Sequence, residues 1–239
     1  ETFLPLYRSL VPNADEMLAS YQPIRGGYLI LTPDAFADTI QQLARWKHLK
    51  GYSVVVTRAT QVTPTGVPSP TQIFNYIQNA YQTWAIPPEF VCIVGDESGL
   101  TTYFQDSPYG GSYASDHDYS CVDGSDYLSD VMVTRMSVPN SILTLRVAMW
   151  KAIKYDSDPF MGDPGMYARG LSVGGNVGSS SSQTPRLTTL WVREQLLEHG
   201  YTRVDTSFCW STSWGCAYDP QIAASFTSGV GITNVRGAG

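Results

Sequence analysis

The chain has 239 residues, of which 43% are apolar and 15% charged, and its formal net charge is -6. Such a length can bury a sizeable core as one large domain or two small ones. The acidic balance argues against a nucleic-acid partner, which wants a basic stripe, and no apolar run approaches the about 18 residues that a spanning helix needs.

The first residues, 1–27, hold Pro5, Pro12 and Pro23 with no clear period and read as an extended lead-in. From Tyr28 onward, β-rich apolar runs alternate with amphipathic stretches: strand 28–31, helix 34–50, strand 53–57, helix 71–84 and strand 90–95. That order predicts an α/β fold with a parallel sheet. Helix 34–50 would bury Phe36, Ile40 and Leu43, and helix 71–84 Ile73, Ile77 and Tyr81. The pairs Thr32-Pro33 and Ser69-Pro70 place a capping oxygen before a first-turn proline, and Ser69 with Gln72 forms a capping box.

A loop, 97–115, leads to strand 131–134 and helix 142–155, the latter capped by Asn140. The linker 156–167, with Pro159, Gly162, Pro164 and Gly165, marks a boundary between a first subdomain, 28–158, and a second, 159–239. The rhythm then restarts: strand 169–173, helix 185–199, strand 202–205, helix 220–226 and strand 231–235. The chain opens on Glu1 and not on Met, which reads as a processed or trimmed product. Few lysines beside abundant Tyr, Trp, Ser and Thr suit a secreted or surface-exposed bacterial protein.

Of the cysteines, Cys92 lies in an apolar run and reads as a buried thiol, whereas Cys209 and Cys216 are spaced so that a disulfide could close them, or could remain two thiols. Asp116, Asp118, Asp123, Asp126 and Asp130, with Asp96 at the end of a buried strand, form the densest set of carboxylates. Asp123-Gly124-Ser125-Asp126 followed by Asp130 offers oxygens around a glycine turn, either for a hard cation such as calcium or as a solvated acidic loop. Asp96 stands at the carboxyl edge of the predicted sheet, where α/β proteins place ligands, with a loop cap as the plainer role. His48 and His199 fall in last turns of helices. His117 lies among aspartates with no evident nucleophile tied to it.

The runs Ser115-Asp116-His117-Asp118-Tyr119, Val122 to Tyr127 and Asp130 to Ser137 resemble the acidic segment of gingipain-type cysteine peptidases. Ile93-Val94-Gly95-Asp96 upstream, with Leu196 to Thr202 and Gly229 to Gly237 downstream, fits the same family, so the resemblance covers Tyr28 to Gly239. It implies a caspase-like, gingipain-like parallel-sheet α/β sandwich of two subdomains, the second incomplete, in which a Cys-His dyad cleaves peptide bonds. The family's histidine position is Ala238 here, its cysteine would lie beyond residue 239, and its supporting acid would fall near Val173 or Gly174, where no carboxylate stands. A methyl group cannot take a thiol's proton.

The chain alone is therefore expected to be inactive. It is either part of a secreted gingipain-like endopeptidase completed by a C-terminal remainder, or a pseudo-peptidase serving as a structural, adhesive or self-assembling module. The resemblance further implies calcium held by Asp96, Asp126 and Asp130 through side chains and by Asp123 and Leu128 through backbone carbonyls. Expected partners are a protein or peptide substrate or the C-terminal remainder, with self-association open and neither nucleic acid nor a membrane span.

Overall fold

A computed structural model of the chain describes residues 26–106, 111–175, 184–208 and 219–236. The chain divides into two compact units, Glu1–Asp158 and Pro159–Gly239.

In the first unit β1 (Gly27–Thr32) is buried along its whole length. It is flanked by β2 (Ser53–Arg58) and β3 (Pro88–Val94), both parallel to it, and β6 (Met132–Met136) pairs with β3, giving the order β2-β1-β3-β6. A central parallel strand must bury both faces, and its residues alternate between them. Leu29, Leu31, Val91 and Ile93 pack with Ile73, Ile77 and Ala80 of α3 (Pro70–Thr83) and with Tyr119 and Val122. Tyr28, Ile30, Cys92 and Val94 pack on the opposite face with Phe36, Ile40 and α1 (Gln41–Leu49), and with Leu145 and Met149 of α4 (Ile142–Ser157). The sheet is thus a sandwich between helices.

The Ser69 and Gln72 capping box is present at the start of α3. Three expectations fail locally. Helix 34–50 is interrupted: a 3-10 turn, Asp34–Phe36, precedes α1. Asp34 is drawn instead to Thr60, whose amide and hydroxyl both donate to its carboxylate, while the Gln41 side chain takes the Ala37 carbonyl. Polar side chains here compete with the helical ladder. Helix α4 is capped by Ser141, whose hydroxyl accepts from the Thr144 amide, and not by Asn140. The stretch 97–115 also contains an antiparallel hairpin, β4 (Tyr103–Asp106) with β5 (Ser112–Ser115), and a short helix α2 (Ala59–Val62) follows β2.

The second unit is a parallel sheet in the order β8-β7-β9, built from β7 (Arg169–Gly174), β8 (Arg203–Phe208) and β9 (Ile232–Arg236). Two helices, α5 (Thr184–Glu198) and α6 (Asp219–Thr227), complete it. Buried Ser172 on β7 donates to the Thr189 carbonyl of α5 at 2.9 Å, and Ser225 of α6 donates to Asp205 of β8 at 2.9 Å. Among the described residues no helix is long and apolar enough to cross a membrane.

Candidate functional site

The acidic segment does several separate jobs. Asp116 is a structural anchor: the Arg135 guanidinium donates to its two oxygens through Nε at 2.6 Å and NH2 at 2.7 Å. The same guanidinium reaches the carbonyls of Gly95 at 3.1 Å, Leu100 at 2.8 Å and Thr101 at 3.1 Å, so one side chain ties β6 to the loop after β3. Burial by itself would raise the Asp116 carboxyl, but hydrogen bonds from Arg135 and Thr102 together with the guanidinium charge outweigh it and hold the group below the ordinary carboxylate range.

Asp123, Asp126, Leu128 and Asp130 share one exposed loop. Its carboxylates partly cap its own backbone: the Asp123 amide donates to Asp130 at 2.8 Å, the Leu128 amide to Asp126 at 2.9 Å and the Gly124 amide to Asp123 at 2.9 Å. Asp96 does not join them. Strands β3 and β6 run parallel with Phe90 beside Met132 and Val94 beside Met136. Asp130 precedes β6 and Asp96 follows β3, so they stand at opposite ends of a five-residue register, roughly 17 Å of strand. Calcium binds its ligands at about 2.3–2.6 Å, so the expected five-residue ligand set does not form one centre. Among the described residues no three His, Cys, Asp or Glu side chains gather into a metal-binding group.

Asp96 instead lines a cavity of about 270 Å³ at the carboxyl edge of the first sheet, together with Asp34, Ser98 and Asn140. Its Oδ1 accepts from the Ser98 hydroxyl at 2.6 Å and amide at 3.2 Å, and the hydroxyl bond is the main cause of a carboxyl held below its ordinary range.

In the second unit the carboxyl ends of β7 and β9 meet where the Gly175 amide donates to the Arg236 carbonyl at 2.8 Å. Ala238, Cys209 and Cys216 lie outside the described residues. Val173 and Gly174 are buried, and a Cβ on Gly174 would stand 3.0 Å from both Phe208 Cδ1 and Thr189 Oγ1. A carboxylate side chain at 174 therefore has no ready room.

One pairing escaped the sequence reading. His117 Nε2 lies 3.6 Å from Cys121 Sγ and 3.0 Å from the Tyr127 carbonyl oxygen. The four-residue spacing across the 3-10 turn His117–Ser120 was the available signal. Cys121 is half-buried, whereas Cys92 is buried and its thiol is pushed by burial up to about 11. Iodoacetamide at pH 8 should therefore label Cys121 well before Cys92, because the Cys92 thiol is buried and its thiolate, the nucleophile, is suppressed. Peptide-mapped mass spectrometry reads both rates, and equal labelling in the folded protein would contradict the packing of Cys92.

A family model described as peptidase family C25 matches residues 21–239. Among solved structures the chain is similar to the complex of Porphyromonas gingivalis RgpB pro- and mature domains, with a TM-score of 0.68, 19% identity, and 90% of this chain and 48% of that one covered. It is likewise similar to the Arg-specific cysteine proteinase gingipain R (RgpB), with a TM-score of 0.68, 19% identity and coverages of 92% and 49%. A third, described as a protease, has a TM-score of 0.65, 23% identity and coverages of 92% and 46%. The chain thus spans about half the length of the solved structures it matches. No curated protein matches it. The likeness shows the fold, an α/β caspase-like arrangement of parallel sheets flanked by helices.

Proposed function

Since the chain belongs to peptidase family C25, we propose that it forms part of the scaffold of a secreted cysteine endopeptidase whose reaction is amide hydrolysis through an acyl-thioester. The observation that carries this reading is the carboxyl edge of the β8-β7-β9 sheet, where β9 ends at Arg236, two residues before the family's histidine position. The thiol would come from a cysteine outside this chain. With alanine at 238, the thiol lacks the base that would generate its thiolate and later protonate the leaving amine.

A second reading is a pseudo-peptidase retained as a structural or self-assembling module. The crowding at Gly174 favours it, because Phe208 and Thr189 occupy the space an acidic side chain would need to support a histidine. The full-length protein, assayed on a mixed peptide library with and without prior thiol alkylation, separates the two. Under the peptidase reading, cleavage is alkylation-sensitive, and Ala238→His raises its rate about 10²–10⁴-fold. No alkylation-sensitive cleavage by either form would sink that reading and leave the module.

Calcium is part of the proposal for the 123–130 loop alone. The donors there are hard oxygens, as that ion prefers: the Asp126 and Asp130 carboxylates and the carbonyls of Asp123 and Leu128, without Asp96. The ion would cross-link the loop and take no part in hydrolysis. Calcium at 100-fold its dissociation constant should stabilise the fold by about 2.7 kcal/mol, so EDTA should lower the melting temperature by several degrees. An unchanged melt would remove calcium from the account.

A further inference from the structure

We propose that the cavity at the carboxyl edge of the β2-β1-β3-β6 sheet binds a primary ammonium group carried on a short aliphatic stem. The first ground is topological. After β1 the chain packs Phe36 and Ile40 on one face of the sheet, whereas after β3 it packs Leu100 and Tyr119 on the other. Neighbouring strands whose outgoing connections part to opposite faces leave a crevice beyond their carboxyl ends, the usual ligand position in open α/β sheets. The cavity lies there, between Pro33 and Asp34 after β1 and Gly95 and Asp96 after β3.

Glycines keep the crevice open. Gly95 adopts a φ of 106°, which side-chain-bearing residues rarely reach, and a Cβ on Gly99 would come within 3.1 Å of Pro33 Cγ. The resulting volume of about 270 Å³ lies just below the usual range for ligand pockets and suits a group no larger than one long side chain.

The lining selects the chemistry. Phe36, Val67 and Val138 supply apolar wall, and Asp34 and Asp96 supply negative charge with neither Lys nor Arg among the lining residues. The nearby Arg135 guanidinium is committed to Asp116 and three carbonyls. An apolar stem with a cationic head matches both features, whereas a hydrated divalent ion would leave the apolar wall unused.

Ammonium fits better than guanidinium for a geometric reason. A guanidinium fork engages both oxygens of one carboxylate. Here Asp34 already accepts from Thr60 on each oxygen, through the amide at 3.1 Å and the hydroxyl at 2.6 Å, and Asp96 Oδ1 accepts from Ser98. A fork would have to share those oxygens, as the Arg135 fork shares Asp116 Oδ1 with Thr102, whereas a single N–H donor asks for one lone pair. The Asp96 carboxylate, which also has the Ser98 and Gly99 backbone beside it, keeps lone pairs for one more N–H donor, and a point charge uses the field of both groups without displacing a bond.

The test is an amide-resolved NMR titration of the chain with n-butylammonium. Saturable shifts at Gly95, Ser98 and Asn140 are expected below about 10 mM. Neither n-butanol, which has the stem without charge, nor tetramethylammonium, which has charge without an N–H donor, should reproduce them. Asp96→Asn keeps an acceptor for Ser98 and should weaken binding at least about 10-fold. Val67→Trp, at an exposed position on the rim, should abolish it with the melting temperature retained. Nα-acetyl-lysine methylamide distinguishes the source of the cation: binding equal to n-butylammonium marks a site for a protein lysine, and failure beside a positive n-butylammonium titration marks one for free amines. No saturable shift from n-butylammonium, or an unchanged titration in folded Asp96→Asn, overturns the proposal.

Discussion

Replacing Arg135 by alanine is expected to cost about 3–5 kcal/mol, the range for removing one partner of a buried ion pair. The side chain is 14% exposed and its partner Asp116 is 22% exposed, so solvent screens the pair little. Losing it leaves the Asp116 carboxylate with Thr102 as its remaining side-chain donor and strips a donor from the carbonyls of Gly95, Leu100 and Thr101. Lysine does not rescue the site, since an ammonium lacks the planar fork that serves two carboxylate oxygens and three carbonyls at once. The pair also predicts an acid limb. The folded-state pKa of Asp116 is depressed, so its stabilisation is fully present above the unfolded value of about 3.9 and is lost as pH falls through the lower folded value. Urea unfolding at pH 7 and at pH 3 checks both parts: the variant's deficit should be large at pH 7 and smaller at pH 3. A deficit under about 1 kcal/mol at pH 7, the surface-pair value, would show that the clamp is not a buried one.

The pattern of what could be read beforehand follows from where side-chain periodicity reports the environment. Strands β1 and β3 were legible because both faces are buried, and Tyr28 to Leu31 and Phe90 to Val94 are accordingly apolar runs. The hairpin was not, because β4 and β5 are largely exposed and their residues, Tyr-Phe-Gln-Asp and Ser-Tyr-Ala-Ser, carry no core-facing alternation. The break before α1 was hidden for the opposite reason. Phe36, Ile40 and Leu43 keep a helical spacing and are all buried, yet Asp34 is held by Thr60, a partner 26 residues away that no local pattern announces. At the site, residue type identified the acidic loop, but sequence distance said nothing about which end of the sheet each carboxylate would reach. Register alone separates Asp96 from Asp130. His117 and Cys121 meet because a 3-10 turn brings a four-residue spacing together, a geometry that composition does not reveal.

Tyr119 explains why the acidic segment holds its shape, and its removal is the second large effect expected. The side chain is fully buried among the residues that pack with α3, and its ring lies 5.2 Å from that of Tyr103. Burial, as the main cause, raises its phenol above the usual range, so it stays a neutral donor and gives its hydroxyl hydrogen to the Thr101 carbonyl at 2.8 Å. Tyr119→Ala should cost about 3–5 kcal/mol through the cavity it leaves. Tyr119→Phe keeps the packing and should cost only about 1 kcal/mol, because the Thr101 carbonyl still accepts from Arg135. That shared acceptor makes a further outcome testable. In a double-mutant cycle of Tyr119→Phe with Arg135→Ala, the Thr101 carbonyl loses both donors at once, so the double variant should be less stable than the sum of the singles by about 0.5–3 kcal/mol. Strict additivity would mean that the two side chains act independently. It would then be wrong to treat the loop after β3 and the turn at 117–120 as one unit held from two sides.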